Sequence, residues 1–143
     1  MTALAPKALY QRLRNQTGSR CGYCHTPSQL IGQPLTVEHI IPRACGGSFE
    51  ESNLWLSCRR CNEYKGTKTD GIDPETGLIF PLFNPRQQVW KEHFAWSKDG
   101  TLIIGLTPCG RATVAALQMN NADIVAVRLL WVAVGWHPPQ EDE

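Results

Sequence analysis

Cys21-Gly22-Tyr23-Cys24 and Cys58-Arg59-Arg60-Cys61 bracket the run Val37-Glu38-His39-Ile40-Ile41-Pro42, and the second pair leads directly into Asn62-Glu63-Tyr64-Lys65-Gly66. Four thiolates in two Cys-x-x-Cys pairs suit a tetrahedral zinc site with no open position, which crosslinks chain and performs no chemistry. His25 could stand in for a cysteine, but four thiolates already fill the tetrahedron. Cys45 and Cys109 have no Cys-x-x-Cys partner and read as small apolar residues or free thiols. An imidazole, a carboxylate and two carboxamides lie between the pairs or just beyond them. Zinc is then the frame, and His39 the working part.

Working outward, Leu35 to Ile41 is apolar and β-prone, a strand with His39 near its end. Pro42 to Ser52 carries Gly46-Gly47 and reads as a loop. Residues 53–57 return as a second strand, and a short helix from Arg59 or Arg60 to Lys65 closes at Gly66. Upstream, Pro6 to Gln16 reads as a helix with Leu9 and Leu13 on one face and Gly18 as its stop. Downstream, Thr67 to Pro85 is a connection rich in Gly, Pro, Asp and Thr, with a short strand at Leu78 to Leu82. A hairpin at Phe94–Ser97 and Thr101–Leu106, turning at Lys98-Asp99-Gly100, precedes a helix to about Met119. A last helix, Asp123 to Val134, is apolar around most of its circumference, so that surface has to be buried against the hairpin or a second subunit.

The net charge of +1 conceals an asymmetry. Residues 1–69 hold nine Lys/Arg against four acids, whereas residues 70–143 hold five against nine. The half with the motif is the basic half, as expected of a surface that meets phosphates. No apolar stretch reaches the roughly 18 residues of a membrane span, and the first residues lack the apolar core of a signal peptide. A cytoplasmic location is expected, where thiols stay reduced and six cysteines favour metal over disulfides.

The ordered set Cys-x2-Cys, Glu-His-Ile-Ile-Pro, Gly-Gly, Asn-Leu and Cys-x2-Cys-Asn-x2-Lys-Gly, covering residues 21–66, closely resembles the HNH endonucleases, in the branch whose ββα-metal motif is stapled by a four-cysteine zinc. Glu38 stands where Asp is more usual, and Asn62 where some members have the last His. The resemblance implies an α+β fold: a zinc-stapled ββα-metal nuclease core over residues 1–69, with a hairpin-and-helices extension over 70–143. It implies structural Zn²⁺ on Cys21, Cys24, Cys58 and Cys61, and His39 as general base. It also implies a catalytic divalent cation, Mg²⁺ or another, on Glu38 and Asn62, and an Asn53 whose side chain bonds across the loop and holds the base in line. Arg43 in the loop, and Arg59 and Lys65 near either end of the final helix, are candidate phosphate contacts. The substrate would be DNA, cut to a 5′ phosphate and a 3′ hydroxyl; one site cuts one strand, so a double-strand cut needs a homodimer or two nicks.

Within the extension, Arg86 and Arg111 are candidate further phosphate anchors, against a scaffold role for the block. Trp90, Phe94, Trp96 and Trp131 would build a second small core. Two rival functions remain at this level: a catalytically inactive zinc-stapled nucleic-acid-binding module, and an interaction protein in which zinc only folds the chain.

Overall fold

The computed structural model describes residues 6–139, and its first element is helix α1 (Pro6–Thr17), one residue longer than expected. Leu13 is fully buried on the inner face, and the Tyr10 hydroxyl donates to the Leu35 carbonyl at 2.9 Å. Gly18, at φ +66°, ends the helix in a conformation that costs a residue without Cβ little. On the outer side Arg12 pairs with Glu51, to which Gln16 also donates at 2.8 Å, so α1 is tied to the loop that carries the motif. A single helical turn, α2 (Ser28–Ile31), follows the first cysteine pair.

Strand β1 (Thr36–His39) pairs antiparallel with β2 (Leu54–Ser57), Glu38 opposite Trp55 and His39 opposite Leu54. Helix α3 (Arg59–Lys65) completes a β-β-α unit; Cys58 caps its N-terminus by accepting from the Cys61 amide, and Gly66 ends it. These three elements keep the order and nearly the bounds read from the sequence.

The connection after Lys65 is more ordered than its composition suggests. Strand β3 (Asp70–Ile72) pairs with β4 (Ile79–Pro81). Only β4 is legible beforehand, because Asp-Gly-Ile looks like turn sequence. The hairpin holds because Asp73, buried at its tip, accepts from the Glu75 amide, the Thr76 hydroxyl and both arms of the Arg111 guanidinium. The short helix α4 (Trp90–His93) then runs into β5 (Phe94–Trp96), which pairs with β6 (Ile103–Gly105).

Helix α5 (Pro108–Ala116) starts at the Thr107 cap and ends three residues before the expected Met119. Gln118 adopts φ +46°, which swings Met119 into the core, where it is fully buried, and lets Asn120 exchange two hydrogen bonds with the backbone of Ile103. Helix α6 (Ala122–Ala133) is where expected, but its surface is not. Its buried side chains are Ile124 and Arg128, whereas Val127, Leu129 and Leu130 are exposed, as are Val134 and Trp136 just past its end. Arg128 faces inward because its guanidinium donates to the carbonyls of Thr101 and Met119 and to Asn120, and lies over the Trp96 ring. Among the described residues no helix is long and apolar enough to cross a membrane.

The separate core expected around Trp90 and Phe94 does not form. These two pack in the same buried cluster as Leu13, Leu56, the four cysteines and Phe83. The Trp90 indole donates to the Tyr23 carbonyl at 2.7 Å, locking the extension onto the first zinc knuckle. One core therefore runs across the boundary at residue 69.

Candidate active site and metal centre

The sulfurs of Cys21, Cys24, Cys58 and Cys61 all lie within 4.8 Å of one another, and all four residues are buried. Cys24 and Cys58 Sγ are 3.8 Å apart. Zn–S bonds of about 2.3 Å in a tetrahedron place ligands about 3.8 Å apart, so the cage has the size of a zinc thiolate site. Backbone amides of Tyr23 and Cys61 point at Cys21 and Cys58 Sγ, the pattern of two thiolate knuckles. The other three cysteines, together with the nearby Arg60 cation, hold the Cys24 thiol well below its usual range. His25 is not part of the cage: its ring stacks on Trp90 at 4.3 Å, and burial drops its pKa to about 4. Cys45 is exposed and Cys109 half-buried, both as free thiols.

His39 ends β1 with its ring edge-on to Phe49 at 4.7 Å. Its Nε2 is buried and has no hydrogen-bond partner among the described residues. Burial, then the Arg43 and Lys65 cations, lower its pKa, which favours the neutral imidazole near neutral pH. The loop beside it is closed by Asn53. The carboxamide accepts from the Ile41 amide at 2.9 Å and donates to the carbonyls of Ile41 and Ser48 at 3.0 and 2.9 Å. The Asn53 carbonyl meanwhile accepts from the Ile40 amide at 2.8 Å.

Gly47 makes the same closure sterically possible, since a Cβ there would sit 1.7 Å from the Ile41 carbonyl oxygen. Gly47→Ala is therefore expected to displace the loop while leaving zinc bound. A shift on the order of 1 Å at a positioned base costs about 10²-fold in turnover. Steady-state cleavage beside zinc content measures both at once, and unchanged turnover would show that the loop's path is immaterial.

Glu38 is buried on the opposite side of β1 from His39. Its Oε2 accepts from the Tyr23 hydroxyl at 2.7 Å, and its Oε1 pairs with Lys65 Nζ, also at 2.7 Å. Burial pushes the carboxyl up, while Lys65 and Tyr23 pull it back. Lys65 donates in addition to the carbonyls of Ile40 and His39, at 2.9 and 3.2 Å. Lys65 is thus corrected as a phosphate contact: it is buried, and all three of its protons are engaged. Asn62 is one turn earlier on the helix, half-buried, and its carboxamide has no partner among the described residues. Of the two residues expected to hold a catalytic cation, Asn62 offers an open oxygen and Glu38 does not.

The arginines divide. Arg43 is exposed in the loop with its guanidinium 4.5 Å over the Phe49 ring, beside His39. Arg59 is exposed and, among the described residues, held only by Glu63, an i,i+4 pair on the helix surface. Arg86 is corrected to scaffold: it donates twice to the Leu54 carbonyl and once to Gln16, and lies over Trp55 at 4.8 Å. Arg111 is likewise bound to Asp73. Phe49, which touches both His39 and Arg43, was missed by the sequence reading; a lone exposed aromatic in a turn-rich loop carries no pattern.

Two comparisons with known proteins agree with this geometry. Residues 21–72 match the family model described as HNH endonuclease. The Septu protein PtuB of Bacillus thuringiensis is 26% identical over 121 residues, which are 82% of this chain and 44% of that protein. The chain thus spans less than half the length of this relative. No solved structure matches. A β-β-α unit stapled by four clustered cysteines and matched by that model places the segment from residue 21 to residue 72 in the HNH endonuclease family.

Proposed function

We propose that the chain is a metal-dependent endonuclease that hydrolyses phosphodiester bonds in DNA, with His39 as general base. The observation that carries this reading is the His39 imidazole at the end of β1, its Nε2 unpartnered among the described residues, beside a clamped loop and the exposed Arg43. His39 takes a proton from a water, whose oxygen attacks phosphorus. The P–O3′ bond breaks, and the leaving oxygen takes a proton from solvent, giving a 5′ phosphate and a 3′ hydroxyl. Arg43, held on Phe49 next to the base, is placed to bind the phosphate, with Arg59 as a second, looser contact. A divalent cation such as Mg²⁺ would neutralise charge developing on the phosphate and the leaving group. Asn62 is the residue free to meet it.

The test is nicking of supercoiled plasmid by the purified chain with Mg²⁺. An inactive binding module would retard DNA without cutting it, and the engagement of Glu38 by Lys65 is the observation that favours that second reading.

The acid limb of the pH–rate profile follows from the lowered His39 pKa. The base form is present above the pKa and lost as pH falls through it, so the limb is expected below the ordinary histidine value of 6.5. Arg43→Gln removes one of the charges that lower it and should move the limb upward. A limb that stays in place in this variant would mean that another group titrates.

A further inference from the structure

We infer that Glu38, together with Tyr23 and Lys65, is a bracket that positions the backbone of His39, and that Glu38 is not a ligand of the catalytic cation. The inference rests on the reading of His39 as the base. Tyr23, Glu38 and Lys65 are 0%, 3% and 2% exposed, and their polar atoms form a closed chain. The hydroxyl donates to one carboxylate oxygen, the ammonium to the other, and the remaining ammonium protons go to the carbonyls of His39 and Ile40. A fully satisfied buried network of this kind is rigid, and half of it is worse than none.

A divalent ion on Glu38 would have to displace the ammonium or sit beside it. Displacement strands a buried cation whose ion pair among the described residues is with Glu38, and removing one partner of a buried pair is among the costlier changes a fold can undergo. The bracket also has a geometric task. Asn53 grips residues 40 and 41 from the β2 side, and Lys65 grips the carbonyls of 39 and 40 from helix α3. The strand end bearing the imidazole is therefore fixed on two sides. Tyr23, between two zinc ligands, extends the hold to the metal knuckle.

The experiment compares the full chain with Glu38→Gln, Tyr23→Phe and the charge-free double variant Glu38→Gln/Lys65→Met. Cleavage is followed against Mg²⁺ concentration, and thermal unfolding is followed with and without Mn²⁺, which reports cation binding independently of cleavage. The bracket predicts that Glu38→Gln lowers kcat by roughly tenfold or more, and Tyr23→Phe by a few fold, at unchanged half-maximal Mg²⁺. It predicts equal Mn²⁺ shifts in the melting of wild type and variants, or none in either. A half-maximal Mg²⁺ raised tenfold in Glu38→Gln, or a Mn²⁺ shift present in wild type and lost in that variant, would overturn the inference. If Glu38→Gln fails to fold, the same two outcomes are read on the double variant. A wild-type chain that does not nick DNA refutes the endonuclease reading instead, and the Mn²⁺ melts still decide the bracket.

Discussion

Cys58→Ala is expected to release zinc and unfold the chain as a whole. Structural zinc contributes on the order of 10 kcal/mol to small metal-dependent folds, about as much as the entire stability of a domain of this size. The thiolate of Cys58 also caps α3, the helix that carries Asn62 and Lys65, so the loss reaches the site directly. Since the cysteines share one buried cluster with Phe83, Trp90 and Phe94, the extension should melt in the same transition and not separately. Zinc released to a colorimetric chelator and near-ultraviolet circular dichroism measure the two effects. A Cys58→Ala protein with full zinc and native circular dichroism would refute the four-thiolate cage, because its remaining thiols could not close a tetrahedron.

The second large effect is on chemistry with the fold intact. His39→Ala should lower DNA cleavage by roughly 10² to 10⁴, the range for removal of a positioned general base. Zinc content and DNA affinity should stay close to wild type, because the imidazole makes no hydrogen bond through Nε2 and its ring contact is with the exposed Phe49. The loss should appear in kcat with little change in KM, as for an interaction made only in the transition state. Wild-type turnover in this variant would exclude His39 as the base. Cleavage lost together with DNA binding would instead make His39 part of the binding surface.

Much of the site was legible before any coordinates. Two Cys-x-x-Cys pairs at this separation mark a metal cage. Gly46-Gly47 reads as a loop, and the resemblance to the HNH endonucleases gives Asn53 a side-chain bond across it. The structure supplies both, the first at Gly47 against the Ile41 carbonyl and the second in the three carboxamide bonds of Asn53. The division of the charged residues into exposed ones and ones bound inside the chain was not legible. Lys65, Arg86 and Arg111 look like Arg43 and Arg59 in a sequence, since each is a cation in a basic or turn-rich stretch. Which of them meets a partner inside the chain depends on residues far away: Glu38 for Lys65, the Leu54 carbonyl for Arg86, Asp73 for Arg111.

Local pattern alone determined the β-β-α order and the four cysteines that cluster, because a metal knuckle, a strand and a turn-rich loop are each written within a few consecutive residues. Helix α6 shows the limit of that reading. Its largely apolar circumference suggests burial of its leucines, yet a buried arginine faces the core, because the carbonyls of Thr101 and Met119 lie there and a guanidinium can satisfy several acceptors at once. Only the tertiary structure decided that, along with the single core across residue 69 and the engagement of Glu38 by Lys65 and Tyr23. All three depend on which distant groups meet away from water, and no window of sequence contains that information.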